Sequence, residues 1–421
     1  MGEGTRIKAG ETDRFGRRRQ DVVHAASALI NELGVKGTTF AELARSVGLN
    51  ATSITYYFDR KDKLVVAVYE ATLEWMEEAA RTAAALPDPA DRLRSFIAAH
   101  VALRRRIREG ESGLITALSE IRTLDEAAQA PLLARYARVV DHVRTFFGDG
   151  REGLKRSLDT ARAHILLEAM FWWPVWSLRY STRDFDRLEA RMFDIFARGL
   201  AGAGRGWEPL SLDSGGWRGA DNGGGGGGGE AADAFLRSAT VMINQRGYRG
   251  ASVNRIAGAL NVTKGSFYHH HSAKDDLVFE CFERSYDRLS AVQLAAGRIE
   301  GDGWTQIASA LAELVDLQFR DPMPLLRTAA LQALPSDERG SVVVRSNRLA
   351  NRFAGMLADG IADGSVRAVD PLVASQLIMP ALNAAYEARG WAGRQSDPSL
   401  AVKLYAWTLC AGVFTDPPEV A

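Results

Sequence analysis

The side chains best suited to chemistry stand in two short runs. Thr263-Lys264-Gly265-Ser266-Phe267-Tyr268-His269-His270, with Lys274 four residues further on, gathers ammonium, hydroxyl and imidazole groups into little more than two helical turns. Ammonium groups neutralise phosphates and hydroxyls donate to phosphate oxygens, so Lys264, Lys274, Tyr268, Thr263 and the earlier Ser252 suit a sugar-phosphate backbone. Ser266, His269 and His270, with Gly265 among them, are placed to approach base edges. The other run, Asn50-Ala51-Thr52-Ser53-Ile54-Thr55-Tyr56-Tyr57-Phe58, is followed by Lys61 and preceded by Thr39. It offers Asn50, Thr52, Ser53, Thr55, Tyr56 and Tyr57 for the same purpose. His269, His270 and His271 do not make a metal site, because adjacent helical residues point about 100° apart and cannot converge on one ion.

Each run needs a short helix to present it. In the first half a helix over 17–33 ends at Gly34, Thr39 caps a short helix carrying Phe40, Leu43, Ala44 and Val47, Gly48-Leu49-Asn50 turns the chain, and 51–58 forms a second short helix. Two short helices joined by such a turn form a helix-turn-helix, whose second helix enters the major groove. The second half repeats the layout, with Ser252 as cap, Val253, Ile256, Ala257 and Leu260 as core, Asn261-Val262-Thr263 as turn and 264–271 as reading helix. The repeat has a constant offset of 213 residues: Asn31 with Asn244, Gly34 with Gly247, Gly37 with Gly250, Ser53 with Ser266, Lys61 with Lys274, Leu64 with Leu277. Matching small residues at each turn point to duplication.

The runs around Thr263–His270 and Asn50–Phe58, each followed by Lys-Asp and Leu (Lys274-Asp275-Asp276-Leu277 and Lys61-Asp62-Lys63-Leu64), resemble the recognition-helix signature of the TetR/AcrR family. The likeness covers about 50 residues in each half. It implies a three-helix DNA-binding head, a helical ligand-binding body, and a dimer interface made by the last two long helices, in proteins that usually repress until a small molecule binds. The first run departs from the pattern at Ala51 and Thr55, where the family usually has Lys and Tyr. The second departs at His271, where Phe is usual.

The rest of the chain is consistent with this plan. Its 421 residues suit two units, and the charged and apolar fractions are those of a globular protein. The formal net charge is zero, but residues 1–64 carry eleven Lys/Arg against eight Asp/Glu and residues 230–277 six against four. The surplus lies on the heads, densest at Arg14, Arg17, Arg18 and Arg19, an arm suited to the minor groove. Two cysteines, Cys281 and Cys410, exclude a disulfide framework and read as buried thiols. No apolar run is long enough for a membrane span and the N-terminus lacks a secretory pattern, so a cytoplasmic location without membrane contact is expected.

The expected organisation is all-α: a head at 14–64, a body at 65–203, a glycine-rich flexible linker at 204–229 containing seven consecutive glycines, a second head at 230–277 and a second body at 278–416. Further helices are expected near 61–84, 90–108, 112–122, 129–147, 155–180 and 184–200. The last two, with 371–389 and 398–414, would pair inside one chain as a pseudo-dimer, since the linker keeps their local concentration high. Pairing of whole chains into a four-headed assembly is the alternative, separable by mass.

A pocket for a hydrophobic or aromatic effector would use Trp75, His100, Phe147, His164, Glu168 and Trp172 in the first body, and Arg327, Phe353, Met356, Met379, Asn383 and Tyr386 in the second. No Ser/His/Asp arrangement, nucleotide loop or cofactor motif emerges, which argues against an enzyme. The competing function is a ligand or protein-interaction module whose heads no longer grip DNA. Its motive is the loss of Lys and Tyr at Ala51 and Thr55.

Overall fold

In a computed structural model, which describes residues 3–118, 121, 124–148, 150, 152–213, 228–271, 273–334, 336–395 and 397–420, the described residues form helices joined by irregular segments, and the only bridge among them joins Ala201 to Val366. It forms two compact units, residues 1–81 with 102–139, and residues 82–101 with 140–421. The expected first body, 65–203, is thus divided between them.

The first half runs α1 (Glu3–Gly37), α2 (Phe40–Ser46), α3 (Ala51–Tyr57), α4 (Lys61–Ala84), α5 (Pro89–Arg108), α6 (Glu126–Arg144), α7 (Gly153–Trp176) and α8 (Phe185–Arg198). The second runs α9 (Gly228–Gly250), α10 (Val253–Ala259), α11 (Lys264–His270), α12 (Lys274–Ala296), α13 (Gly303–Arg320), α14 (Ser336–Ala362), α15 (Pro371–Ala384), α16 (Arg389–Ala392) and α17 (Pro398–Ala411). Gly34 and Gly247 break α1 and α9 at the same place, both with φ of 69°, a conformation only glycine adopts without strain.

The helix expected at 112–122 does not form: residues 113–117 are irregular. The cause is side-chain capture of their backbone. Asn31 Nδ2 donates to the Ile115 carbonyl at 2.8 Å, the Ala117 N–H donates to Asn31 Oδ1 at 3.0 Å, and the Thr116 N–H donates to Thr72 Oγ1 at 2.9 Å. The second copy repeats this clamp. Asn244 Nδ2 donates to the Leu325 carbonyl (2.9 Å), Arg327 N–H to Asn244 Oδ1 (2.9 Å), and Leu326 N–H to Ser285 Oγ (2.9 Å). Asn31 and Asn244, and equally Thr72 and Ser285, stand at the 213-residue offset, so the repeat continues beyond the heads.

Within the second unit α7 packs on α15 and α17, and α8 on the same two helices. Their ends exchange equivalent bonds: Leu200 N–H donates to the Leu409 carbonyl at 2.8 Å, and Val413 N–H to the Phe196 carbonyl at 2.8 Å. Both pairs of residues are related by 213. Gly199 (φ 69°) and Gly412 (φ 81°) cap α8 and α17, and a Cβ on either would fall against the carbonyl of Cys410 or Ala197 respectively. A residue i that meets j while the equivalent of j meets the equivalent of i is the mark of a two-fold contact.

The start of the segment expected to be a flexible linker is anchored. Trp304 Nε1 donates to the Gly206 carbonyl at 2.8 Å, Leu210 N–H to Ser309 Oγ at 2.8 Å, and Arg205 pairs with Asp302 at 2.6 Å, so 205–210 lies along α13. Residues 214–227 lie outside the described residues.

Candidate nucleic-acid interface

The first head is built on a core of Val22, Ala26, Ile30, Leu43, Ala44, Ile54, Phe58, Leu64 and Val68. Thr39 caps α2 with a full capping box, accepting from Glu42 N–H at 3.1 Å while Glu42 Oε2 accepts from Thr39 N–H at 3.0 Å. Such a cap is worth roughly 0.5–2 kcal/mol, enough to fix where a seven-residue helix begins. Asn50 caps α3, its Oδ1 accepting from Ser53 N–H at 2.7 Å and from Ser53 Oγ at 2.8 Å. Thr55 turns back on its own helix and donates to the Thr52 carbonyl at 2.8 Å. The exposed residues of α3 are Ala51, Thr52, Thr55 and Tyr56. Tyr56 is 74% exposed and is steadied by Phe15 and Tyr57, with ring centroids 5.5 and 5.4 Å away. Lys61 is half-buried at the start of α4.

Arg17, Arg18 and Arg19 are exposed, but on α1 and not on an extended arm. The Arg19 guanidinium sits 4.8 Å over the Phe58 ring. The arginine-rich arm expected from the sequence is thus part of a helix.

In the second head Ser252 caps α10 by accepting from Arg255 N–H at 3.3 Å, and Thr263 caps α11 by accepting from Ser266 N–H at 3.3 Å. Phe267 is buried, Ser266 half-buried, and Lys264, Gly265 and Tyr268 are exposed, the Lys264 ammonium lying 5.6 Å from the Tyr268 ring centre. The side chains of His269 and His270 lie outside the described residues. His271 takes the place that Phe58 has in the first head. It is buried against Phe267 and Phe235, with centroids at 5.5 and 6.1 Å, while Nδ1 meets Glu280 Oε1 at 3.2 Å. A ring with one polar handle thus replaces phenylalanine.

Lys274 differs from its expected role. Its ammonium donates to the Tyr248 carbonyl and sits 3.5 Å over the Tyr248 ring, so it ties α12 to α9. Lys264, exposed, is a cation that α11 presents outward.

Gly265 has no structural cause. A Cβ there would meet nothing nearer than Thr263 Oγ1 at 3.6 Å, yet glycine weakens a helix by roughly 0.5–1 kcal/mol. Its absent side chain leaves room for a partner's backbone to come close.

The candidate ligand residues do not form two separate sets. Glu168 on α7 accepts from Trp172 Nε1 at 3.0 Å and from Asn383 Nδ2 on α15, and Asn383 Oδ1 accepts from Thr328 N–H at 3.0 Å. Burial raises the Glu168 carboxyl above its ordinary range, and Arg327, Trp172 and Asn383 partly offset this. Arg327 pairs with Glu387 at 2.6 Å. Burial lowers the His164 imidazole, against the pull of Glu387. Members of both nominated sets therefore converge where α7 meets α15. His100, Phe147, Phe353, Met356 and Tyr386 are buried core positions, and Met379 is half-buried. Burial drives His100, edge to face with Phe96 at 4.7 Å between ring centroids, down to about 3. Trp75 is half-buried and belongs to the other compact unit.

A cleft of about 590 Å³ that none of the nominated residues line opens between 207–212, α13 and α17, with Trp207, Leu210, Glu313, Asp316, Lys403 and Glu419 in its walls. Sequence patterning gave no hint of it, because one wall belongs to the stretch read as linker.

The family described as bacterial regulatory proteins, tetR family, matches residues 22–68 and 235–281. The tetR-family head is thus matched twice, in tandem, within one chain. Over 85 residues it is 34% identical to the HTH-type transcriptional regulator BetI of Burkholderia ambifaria, covering 20% of this chain and 44% of that protein. Over 83 residues it is 28% identical to the transposon Tn10 TetC protein of Escherichia coli, covering 20% and 42%. The chain spans less than half the length of these curated relatives. Among solved structures it is similar to apo AibR (TM-score 0.36, 21% identity, 42% of this chain and 97% of that one). It is also similar to the ketosteroid transcriptional regulator KstR2 of Mycobacterium tuberculosis (TM-score 0.37, 18% identity, 42% and 92%). Both tetR-family matches end within the first turns of α4 and α12. No helix among the described residues is long and apolar enough to cross a membrane.

Proposed function

We propose that this tandem tetR-family chain is a sequence-specific DNA-binding transcriptional regulator, a single-chain pseudo-dimer whose two unequal heads read one operator. The observation that carries the reading is the reciprocal bonding of Leu200 to Leu409 and Val413 to Phe196, a two-fold relation between copies inside one polypeptide. Dimeric helix-turn-helix proteins read two half-sites, and identical heads require palindromy. Here Lys264 and Tyr268 stand where the first head has Ala51 and Thr55, so the half-sites should differ. Gly265, where a Cβ would meet only Thr263 Oγ1 at 3.6 Å, supports a close backbone approach by α11.

Selection of bound duplexes from a random library, with the mass of the complex on the best site, tests this. One 45.9 kDa chain on a site with unlike halves is the expected result. A strict palindrome, or two chains per site, refutes it. No enrichment at all favours a ligand or interaction module instead, the reading that the uncharged α3 recommends for the first head.

Repression relieved by a hydrophobic or aromatic small molecule belongs to the same proposal. The Glu168–Asn383 bond joins the two copies and Trp172 donates to the same carboxylate, so an effector displacing them would change how the copies meet. Thermal shift against aromatic acids, lipophilic drugs and acyl compounds tests it, and the absence of any stabilisation counts against it. The reading also implies a cytoplasmic location, which cell fractionation checks.

A further inference from the structure

The contact of α7 and α8 with α15 and α17 is two-fold in its backbone but one-sided in its polar side chains. Arg162 on α7 is fully buried with Asp159, and reaches across to Asp416 Oδ1 at 2.8 Å and the Thr415 carbonyl at 2.7 Å, while Lys155 adds a contact to Asp416 at 3.2 Å. The α8/α17 register sets Ala203 where the second copy has Asp416. In the other direction α15 contains no Lys or Arg anywhere along its length.

On α8, Arg191 pairs with Asp370 and Asp194 with Arg367, the latter at 3.0 Å. The corresponding residues on α17 are Leu404 and Trp407. At the crossing of α7 and α15, Glu168 accepts from Asn383, yet α7 has no Asn or Gln and α15 no Asp or Glu.

Each of these three seams is supplied half by one copy and half by the other. Joined by the same two-fold, two first copies would bury Arg162 without Asp416 and set Glu168 against a helix with no amide donor. Two second copies would set Arg367 and Asp370 against Trp407 and Leu404, and Asp416 against an uncharged helix. Polar partners lost at a buried contact are how an interface rejects a wrong partner whose shape still fits.

We infer that this surface is coded for one copy of each kind: the first-copy body takes a second-copy body as its partner and excludes another first-copy body. The inference rests on the pseudo-dimer part of the proposed function and is independent of whether the heads bind DNA.

To test it, a protease site is inserted into the glycines at 223–229 of the full chain, and the folded protein is cleaved. The cleaved protein is unfolded in urea, refolded by dilution, and the pairs counted by native mass spectrometry. Mixed pairs in at least roughly tenfold excess over like pairs are expected. The statistical mixture of one to two to one overturns the inference. Should the cleaved halves not refold, a double-mutant cycle on the intact chain decides. Arg162→Met with Asp416→Ala, and Arg191→Leu with Asp370→Ser, should each show coupling of roughly tenfold or more in the unfolding equilibrium, and independent effects at both seams overturn it. The mass of the intact chain separates this from the earlier proposal. A species of twice 45.9 kDa defeats the single-chain reading, while mixed pairing after cleavage still upholds the code.

Discussion

Replacing Asn244 by leucine tests whether the duplicated asparagine holds the body segment in place or merely fills space. The side chain is 2% exposed and similar in size to leucine, so the substitution leaves little cavity. It removes both bonds at once: the donor to the Leu325 carbonyl and the acceptor for the Arg327 N–H, each 2.9 Å long. A buried backbone group left unsatisfied costs about 1–3 kcal/mol. Because Arg327 is only partly buried and a carbonyl has a second lone pair, the combined loss should lie at roughly 2–4 kcal/mol. Every 1.4 kcal/mol is tenfold, so amide exchange in 325–327 should accelerate by roughly 30- to 1,000-fold if opening there is local.

Hydrogen exchange followed by mass spectrometry on peptides covering 323–330 reads this directly. Asn244→Asp supplies a control with a distinct signature, since a carboxylate beside the Leu325 carbonyl is unfavourable but its protonated form donates to that oxygen. Protection should therefore recover as pH falls into the carboxylate range for the aspartate variant and not for leucine. Unchanged exchange at 325–327 in Asn244→Leu would refute the clamp. Asn31→Leu should act in the same sense at 115–117 but more weakly, because Asn31 is only partly buried.

Gly265→Ala should move two properties in opposite directions: a more stable head by about 0.5–1 kcal/mol, since nothing occupies the space of the new methyl, and weaker operator binding in a titration. Lys264→Ala should reduce the slope of log affinity against log salt by about one, whereas Lys274→Ala should chiefly lower stability through lost contact with Tyr248. Gly199→Ala should lower the unfolding midpoint far more than Gly204→Ala, because both have positive φ but only the former meets a backbone carbonyl. His100, held near 3 by burial, stays neutral in the folded chain where the unfolded chain protonates it near 6.5. Its stabilising contribution is complete above about 6.5 and is lost as pH falls toward 3, by at most about 1.4 kcal/mol per pH unit. His100→Leu should flatten that part of the stability profile. Burial pushes the Cys281 and Cys410 thiols up to about 12, so Ellman's reagent at mildly alkaline pH should label them only after denaturant is added.

The heads were legible because their signals are local. Thr39, Asn50, Ser252 and Thr263 each cap the helix that follows, Gly34 and Gly247 break the helix that precedes, and the spacing between these marks fixes both helix-turn-helices. The failures share one cause, contact with residues distant in sequence. The periodicity of 112–122 suggests a helix, but Asn31 and Thr72 take its backbone groups. Lys274 reads as a phosphate contact until Tyr248 is seen to hold it, and 205–210 reads as linker until Trp304 and Ser309 are seen to bind it. The ligand candidates were chosen by chemistry within each half, and no local pattern could reveal that Glu168 and Asn383 lie in contact.

The distribution of likeness between the copies follows from what each position must do. Asn31/Asn244, Thr72/Ser285 and Gly199/Gly412 keep their chemistry because each serves the backbone, whose path is the same in both copies. Positions that face the partner copy obey a different constraint. In a homodimer one residue must suit both sides of the two-fold, so a buried Arg162, paired with Asp159 on its own helix, would have to find its second carboxylate in a copy of its own sequence. Fusion removes that requirement, and Asp416 can arise opposite Arg162 while its equivalent remains Ala203. The reading helices are released in the same way, since Lys264 need not be matched by Ala51. A chain that joined its copies only for convenience would keep a symmetric interface. The three one-sided seams require that the copies diverged at their contact as well as at their heads, which is what the proposed pairing of unlike halves and the proposed unequal reading of DNA both expect.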